Sequence, residues 1–229
     1  TDIRIGDRVA YQGQTGAYAE ERLAAADRMV AIPDGISDQV AAAIMLKGLT
    51  AYYLLFKTWP VAKGETILWH AAAGGTGLIA TQWAKALGAT VIGTAGSDEK
   101  VALAKAHGCD HVINYRKEDF AARVRELTGG RGVDVVYDGV GKATFEKSLD
   151  CLRPRGLMVS FGNASGVVSI PDITVLSRKG SLYVTRPTSL HYFATREELL
   201  EGASRLFEAV RSGAIKVEIG RTFALSDAA

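Results

Sequence analysis

The sequence predicts an α/β fold in which a doubly wound parallel sheet carries helices on both faces. Two observations lead to it. Residues 68–80 run from an apolar segment through a glycine-rich turn into an amphipathic segment, the pattern of a strand, a phosphate-binding turn and a helix start. The same unit then repeats, with short apolar segments bounded by glycine alternating with helical segments of about ten residues, as parallel strands with right-handed crossovers require.

Taken in order, residues 5–13 and 16–23 read as two short strands around a turn, followed by an extended 29–33. Two hairpin-sized strands make no independent domain, so they pack on the α/β unit or belong to a larger β module. Residues 37–46 and 49–58 read as two helices, with Ser37 as N-cap of the first. Strands follow at 90–95, 111–114, 133–137, 157–161 and 181–185, with helices at 98–107, 118–128 and 144–152 between them. This is the Rossmann arrangement.

Against the dinucleotide fingerprint G-x-G-x-x-G, the register is Ala72, Gly74, Gly77, with alanine in the first place. Gly74 lets the backbone approach a diphosphate and Gly77 lets the helix lie close on the sheet. The turn 73–77 (Ala73, Gly74, Gly75, Thr76, Gly77) thus offers N–H groups and the positive end of a helix dipole to an anion.

An NAD-selective site usually ends its second strand in Asp or Glu, which holds the ribose 2′-hydroxyl. Here that end is Thr94-Ala95-Gly96-Ser97, which has no carboxylate. Space at Gly96 then admits a 2′-phosphate, with Ser97, Lys100 and Tyr115 to bind it, so the expected cofactor is NADPH. The same residues also fit a plain helix start, in which Ser97 caps, Asp98 and Glu99 complement the dipole and Lys100 is solvated. Asp98 as a displaced ribose acid keeps NAD as an alternative. Ligands of open α/β sheets lie at the carboxyl ends of strands, here Gly139-Val140-Gly141 and Phe161-Gly162-Asn163; core packing of Phe161 and ordinary glycine turns are the other reading. Asp138 reads as a strand end bonded to its loop, with a catalytic acid as the less favoured reading.

Composition excludes several classes. The 229 residues, 48% of them apolar, supply a sizeable core. No uninterrupted apolar run approaches the ~20 residues that span a bilayer, and residues 1–4 are no signal peptide, so no membrane partner is expected. A formal charge of +2 gives no electrostatic case for nucleic acid. Cys109 and Cys151 read as buried thiols of a cytoplasmic protein. His70 reads as a satisfied core side chain, and His107, His111 and His191 have no metal-ligand spacing, so no metal is expected.

The chain resembles the zinc-independent quinone oxidoreductases of the medium-chain dehydrogenase/reductase superfamily, the group that includes zeta-crystallin. The resemblance runs over essentially the whole chain, through Gly6-Asp7-Arg8-Val9, Gly16-Ala17-Tyr18, Lys47-Gly48-Leu49-Thr50-Ala51, His70 to Gly77, Val140-Gly141, Arg155-Gly156-Leu157 and Lys179-Gly180-Ser181-Leu182. Trp69 and Thr76 depart from it, where members usually carry smaller or more apolar residues. The resemblance implies hydride transfer from NADPH to a quinone or similar conjugated carbonyl, with Lys100 and Tyr115 at the 2′-phosphate and Thr50 facing the nicotinamide. It also implies that 1–46 is the end of a β-rich (GroES-like) catalytic domain, 47–221 the Rossmann domain and 222–229 the start of a return to the first, in a chain truncated at both ends. No catalytic residue is named by it, because the family's substrate-side asparagine and tyrosine have no counterpart here. An alkenal or enone reductase, or a crystallin-like NADPH-binding protein without turnover, shares the same motifs. Members are often homodimers paired through the sheet edge, expected here at 181–186.

Overall fold

The computed structural model describes residues 2–13 and 15–228; Thr1, Gln14 and Ala229, which fall in the expected 1–46 and 222–229 segments, lie outside the described residues. A two-residue strand β1 (Val9–Ala10) pairs antiparallel with β2 (Val30–Ala31). Residues 16–23 are therefore not the partner strand expected of them. They are almost wholly exposed, and without an apolar alternation to bury, a strand there has nothing to stabilise it.

Helix α1 (Asp38–Tyr52) starts at Ser37, whose Oγ accepts from the Val40 N–H at 3.2 Å, and passes without a break into a π-helical stretch, Tyr53–Thr58. The two helices expected here are one rod. Gly48 does not interrupt it, because its missing side chain serves packing: a Cβ there would stand 2.5 Å from Leu206 Cδ1 on the last long helix. This rod is long and apolar enough to cross a membrane by length and composition alone, and its apolar residues are spent on the core, where Ile44, Met45, Leu49, Leu54 and Leu55 are buried.

The sheet follows as β3 (Thr66–Trp69), β4 (Thr90–Ala95), β5 (His111–Asn114), β6 (Val133–Asp138), β7 (Leu152–Ser160) and β8 (Tyr183–Thr185). Its spatial order is β5-β4-β3-β6-β7-β8 and every pair is parallel. Between the strands run α2 (Gly75–Ala86), α3 (Asp98–Ala106), α4 (Phe120–Leu127), α5 (Phe145–Cys151) and α6 (Thr174–Arg178); α7 (Ser189–Tyr192) and α8 (Arg196–Arg211) come after β8. The central strands are buried on both sides: Ile67 and Trp69 face the layer of α1, α2 and α8, and Leu68 faces α4 and α5. β7 begins five residues before the expected 157, running on from α5 without a loop. Strand order reverses between β3 and β6, which opens a crevice at their carboxyl ends.

Candidate functional site

The crevice holds a cavity of about 550 Å³. One wall is the β3–α2 turn (His70, Ala71, Ala73, Gly74); the end of β4 (Thr94, Ala95, Gly96) with Lys100 and Tyr115 forms another. Glu118, Asp119 and Phe120, with Val140, Ala143, Thr144, Lys147 and Ser165, close the far side.

The turn is tight. Ala71 sits at φ 52°, a left-handed conformation that costs a residue with a Cβ about 1 kcal/mol or more. Gly74 N–H donates to the Ala71 carbonyl at 2.8 Å, and Leu78 N–H to the Gly74 carbonyl at 2.9 Å. A Cβ on Gly77 would lie 2.5 Å from the Ala72 carbonyl oxygen and 2.6 Å from that of Ala71, so only glycine lets α2 begin this close to the strand. Unlike α3, α4 and α8, which are capped by Ser97, Asp119 and Thr195, α2 has no side-chain cap at Gly74. The N–H groups of Gly75, Thr76 and Gly77 precede its first internal bond and have no intrahelical acceptor. Thr76 is half-buried in this first turn, and Lys47 lies over it, its Cε and Nζ 2.7 Å from where a Gly75 Cβ would stand. This geometry is a cradle for an anion.

At the end of β4, Ser97 Oγ accepts from the Lys100 N–H at 3.3 Å, so the capping reading is realised while the Lys100 side chain lines the cavity. The Tyr115 hydroxyl lies so close to Gly96 that any Cβ there would overlap it. Asp98 is engaged elsewhere: Lys117 Nζ donates to it at 2.7 Å and Asn114 Nδ2 at 2.9 Å, and these two hold its carboxyl below the usual range. Lys147 reaches the same cavity, paired with Asp119 at 2.6 Å.

The buried Asp138 carboxylate organises the loop after β6. Its Oδ1 accepts from the N–H groups of Val140 (2.7 Å) and Gly141 (3.0 Å), and its Oδ2 from Thr144 Oγ1 (2.7 Å). Gly141 is at φ 93°, where a Cβ would also meet the Gly166 carbonyl at 2.6 Å. Beyond β7, the half-buried Phe161 ring lies 5.5 Å from Trp69, which also packs in a tilted arrangement on Tyr137 at 4.8 Å, so the unusual Trp69 is core. Gly162 and Asn163 line a separate, smaller cavity of about 260 Å³ beside Arg186. Thr50 lies outside both, its Oγ1 donating to the Leu46 carbonyl at 2.8 Å.

The structure thus brings six of the expected residues together in the main cavity: Ala73, Gly74, Gly96, Lys100, Tyr115 and Val140. Gly75, Thr76, Gly77 and Ser97 sit in the adjoining helix starts, and Thr50, Gly141, Phe161, Gly162 and Asn163 do not line it. Sequence reasoning missed Thr94, Thr144 and Lys147; only Thr94, at the end of an expected strand, had a signal. Cys109 and Cys151 are buried on opposite faces of the sheet, and burial pushes both thiols up to about 12. His107 Nδ1 bonds the Leu103 carbonyl at 2.8 Å and its Nε2 approaches Glu218 at 3.3 Å.

A parallel sheet in this order, with an uncapped glycine turn opening onto its switch point, defines an α/β protein of the dinucleotide-binding class. The family model described as zinc-binding dehydrogenase matches residues 75–205. The chain is 55% identical over 230 residues to a quinone oxidoreductase of Pseudomonas aeruginosa, covering all of this chain and 71% of that protein. A 2-haloacrylate reductase of a Burkholderia species is 48% identical over 233 residues, covering all of this chain and 70% of that protein. The crystal structure of Escherichia coli quinone oxidoreductase complexed with NADPH superposes with a TM-score of 0.92 at 54% identity, covering 96% of this chain and 68% of that one. The chain belongs to this dehydrogenase family, in the quinone oxidoreductase group of the medium-chain dehydrogenase/reductase superfamily.

Proposed function

We propose that the chain is an NADPH-dependent quinone oxidoreductase that reduces a quinone or similar conjugated carbonyl. The observation that carries this reading is the cavity itself: an uncapped glycine turn faces a β4 end without a carboxylate, and Lys100 and Tyr115 stand beside it. When bound, NADPH supplies the hydride. The chain's share is to bind and orient. The N–H groups of Gly75, Thr76 and Gly77 hold the diphosphate, while Ser97, Lys100 and Tyr115, whose hydroxyl stands against Gly96, take the 2′-phosphate. Val140, Gly141 and residues 161–163, with Thr50, frame the nicotinamide end. In this reading 1–46 and 222–229 belong to a β-rich catalytic part around the domain at 47–221, the boundary at 46–47 falling inside α1.

The reaction is proposed to run without zinc. In support, the chain resembles the zinc-independent branch of the superfamily, and both ring nitrogens of the buried His70 are taken up by Thr94 and Ser148. Pairing of β8 with a second copy is also proposed: Tyr183 on this edge strand is 60% exposed, and a dimer would satisfy its open backbone groups. A monomeric mass in solution would overturn that.

The test is NADPH oxidation by the purified chain with a simple benzoquinone and, separately, with 2-chloroacrylate. Quinone turnover is expected. Turnover of the acrylate alone favours the second reading, an enone-type reductase, which rests on the similarity to the 2-haloacrylate reductase. NADPH binding without turnover of either would leave a cofactor-binding protein.

A further inference from the structure

Beneath the cavity lies a buried polar chain that the proposed function leaves unused. His70, the last residue before the glycine turn, is 2% exposed, and both of its ring nitrogens are engaged. Nδ1 is 3.0 Å from Thr94 Oγ1 and Nε2 is 2.9 Å from Ser148 Oγ. Ser148 Oγ donates to the Thr144 carbonyl at 2.8 Å, with Asp138 Oδ2 a more distant acceptor at 3.5 Å, so its lone pairs are left to accept from Nε2–H. With Nε2 carrying the proton, Nδ1 of the neutral ring is an acceptor and takes the Thr94 Oγ1 proton, while Thr94 Oγ1 accepts from the N–H of Ala71 at 3.3 Å. One neutral tautomer therefore satisfies every member, as a chain of donations in two arms that meet at the imidazole. Burial pushes the imidazole down and favours that neutral form, against the Asp138 carboxylate, which acts the other way.

The two arms end on opposite walls of the cavity. Through Thr94 the imidazole is tied to Ala71, the left-handed residue that turns the chain toward Gly74. Through Ser148 it is tied to Thr144, whose hydroxyl also bonds Asp138, the carboxylate that fixes Val140 and Gly141. A strained turn persists only where its surroundings hold it.

We propose that His70 is a positioning residue for the dinucleotide, clamping the glycine turn to the loop after β6 through Thr94 and Ser148 so that the diphosphate cradle is formed before cofactor arrives. This rests on the reading of the cavity as the cofactor site. Because the clamp acts on the turn and not on the 2′-phosphate end, it contributes equally to NADPH and NADH.

The test is fluorescence titration of the full chain and of Thr94→Val, His70→Leu, the double variant and His70→Gln with NADPH and with NADH. Thr94→Val keeps the β-branched shape and removes only the hydroxyl, so it carries the test even where His70→Leu fails to fold. Each single variant is expected to weaken both dinucleotides about tenfold, with their ratio unchanged, the factor that ~1.4 kcal/mol of lost interaction produces. The double variant is expected to lose no more than the worse single, since one chain of bonds is broken in all three. His70→Gln, with one acceptor and one donor at the right reach, is expected to recover most of the affinity. Wild-type affinity in Thr94→Val, additive losses in the double variant, or a changed NADPH to NADH ratio would overturn the inference alone. Failure of the wild-type chain to bind either dinucleotide would overturn both the inference and the reading of the cavity.

Discussion

Asp134 on β6 and Arg153 on β7 meet across the sheet, with Arg153 Nε donating to Asp134 Oδ1 at 2.6 Å. The carboxylate is 3% exposed as a residue, and it also takes Arg131 Nη2 at 2.6 Å and the Thr66 N–H of β3 at 2.9 Å. One acid thus holds three neighbouring strands at their amino ends, opposite the cavity.

Burial acts to raise the Asp134 carboxyl, but its two arginines and the Thr66 N–H outweigh burial and hold it below the usual range. A depressed native value means that the charged acid stabilises the fold fully above its unfolded value of ~3.9 and that this is lost as pH falls through the native value. Asp134→Asn is expected to cost about 1–3 kcal/mol at neutral pH. In urea titrations the gap from wild type should stay constant from about pH 8 to 5 and close below about pH 4. A gap unchanged in acid would show that packing, not charge, is what Asp134 supplies.

Lys100→Ala tests cofactor selectivity. If the lysine pairs with a 2′-phosphate, NADPH affinity falls about tenfold or more while NADH affinity barely moves, because NADH has no group at that position. Fluorescence titration reads both. Equal losses for the two dinucleotides would return Lys100 to a solvated surface charge on α3.

The repeated strand and helix units were legible because β3, β4 and β6 are buried on both faces and so read as near-continuous apolar runs between glycines. Caps with a local mechanism, Ser37 and Ser97, were legible for the same reason: the partner N–H lies three residues on. Gly48 misled because a glycine that fits a neighbouring helix and one that ends a helix look alike until Leu206 is in place. The expected elements end at 185, although the capping box of Thr195 and Glu198 is a local signal for α8. At the site, residues beside glycine turns could be named, whereas Thr94, Thr144 and Lys147 meet only once the order β5-β4-β3-β6 brings four separate loops to one crevice.

Gly77→Ala separates the cradle from the fold around it. The added methyl would stand 2.5 Å from one backbone carbonyl oxygen and 2.6 Å from another, and neither can turn away as a side chain would. Either α2 shifts outward or the strained Ala71 turn opens; both move the N–H groups of Gly75 and Thr76. A cost of about 1–3 kcal/mol in unfolding free energy is expected, typical of overpacking. Loss of binding to NADPH and NADH alike should accompany it, measured well below the lowered melting temperature. At Gly96 the obstacle is the tip of the exposed Tyr115 side chain, which can swing aside, so Gly96→Ala should leave the fold intact and weaken NADPH more than NADH. Two alanines that behaved alike would mean that the backbone carbonyls of the turn yield as readily as a surface tyrosine, and the glycine turn would then lose its claim to be a built anion site.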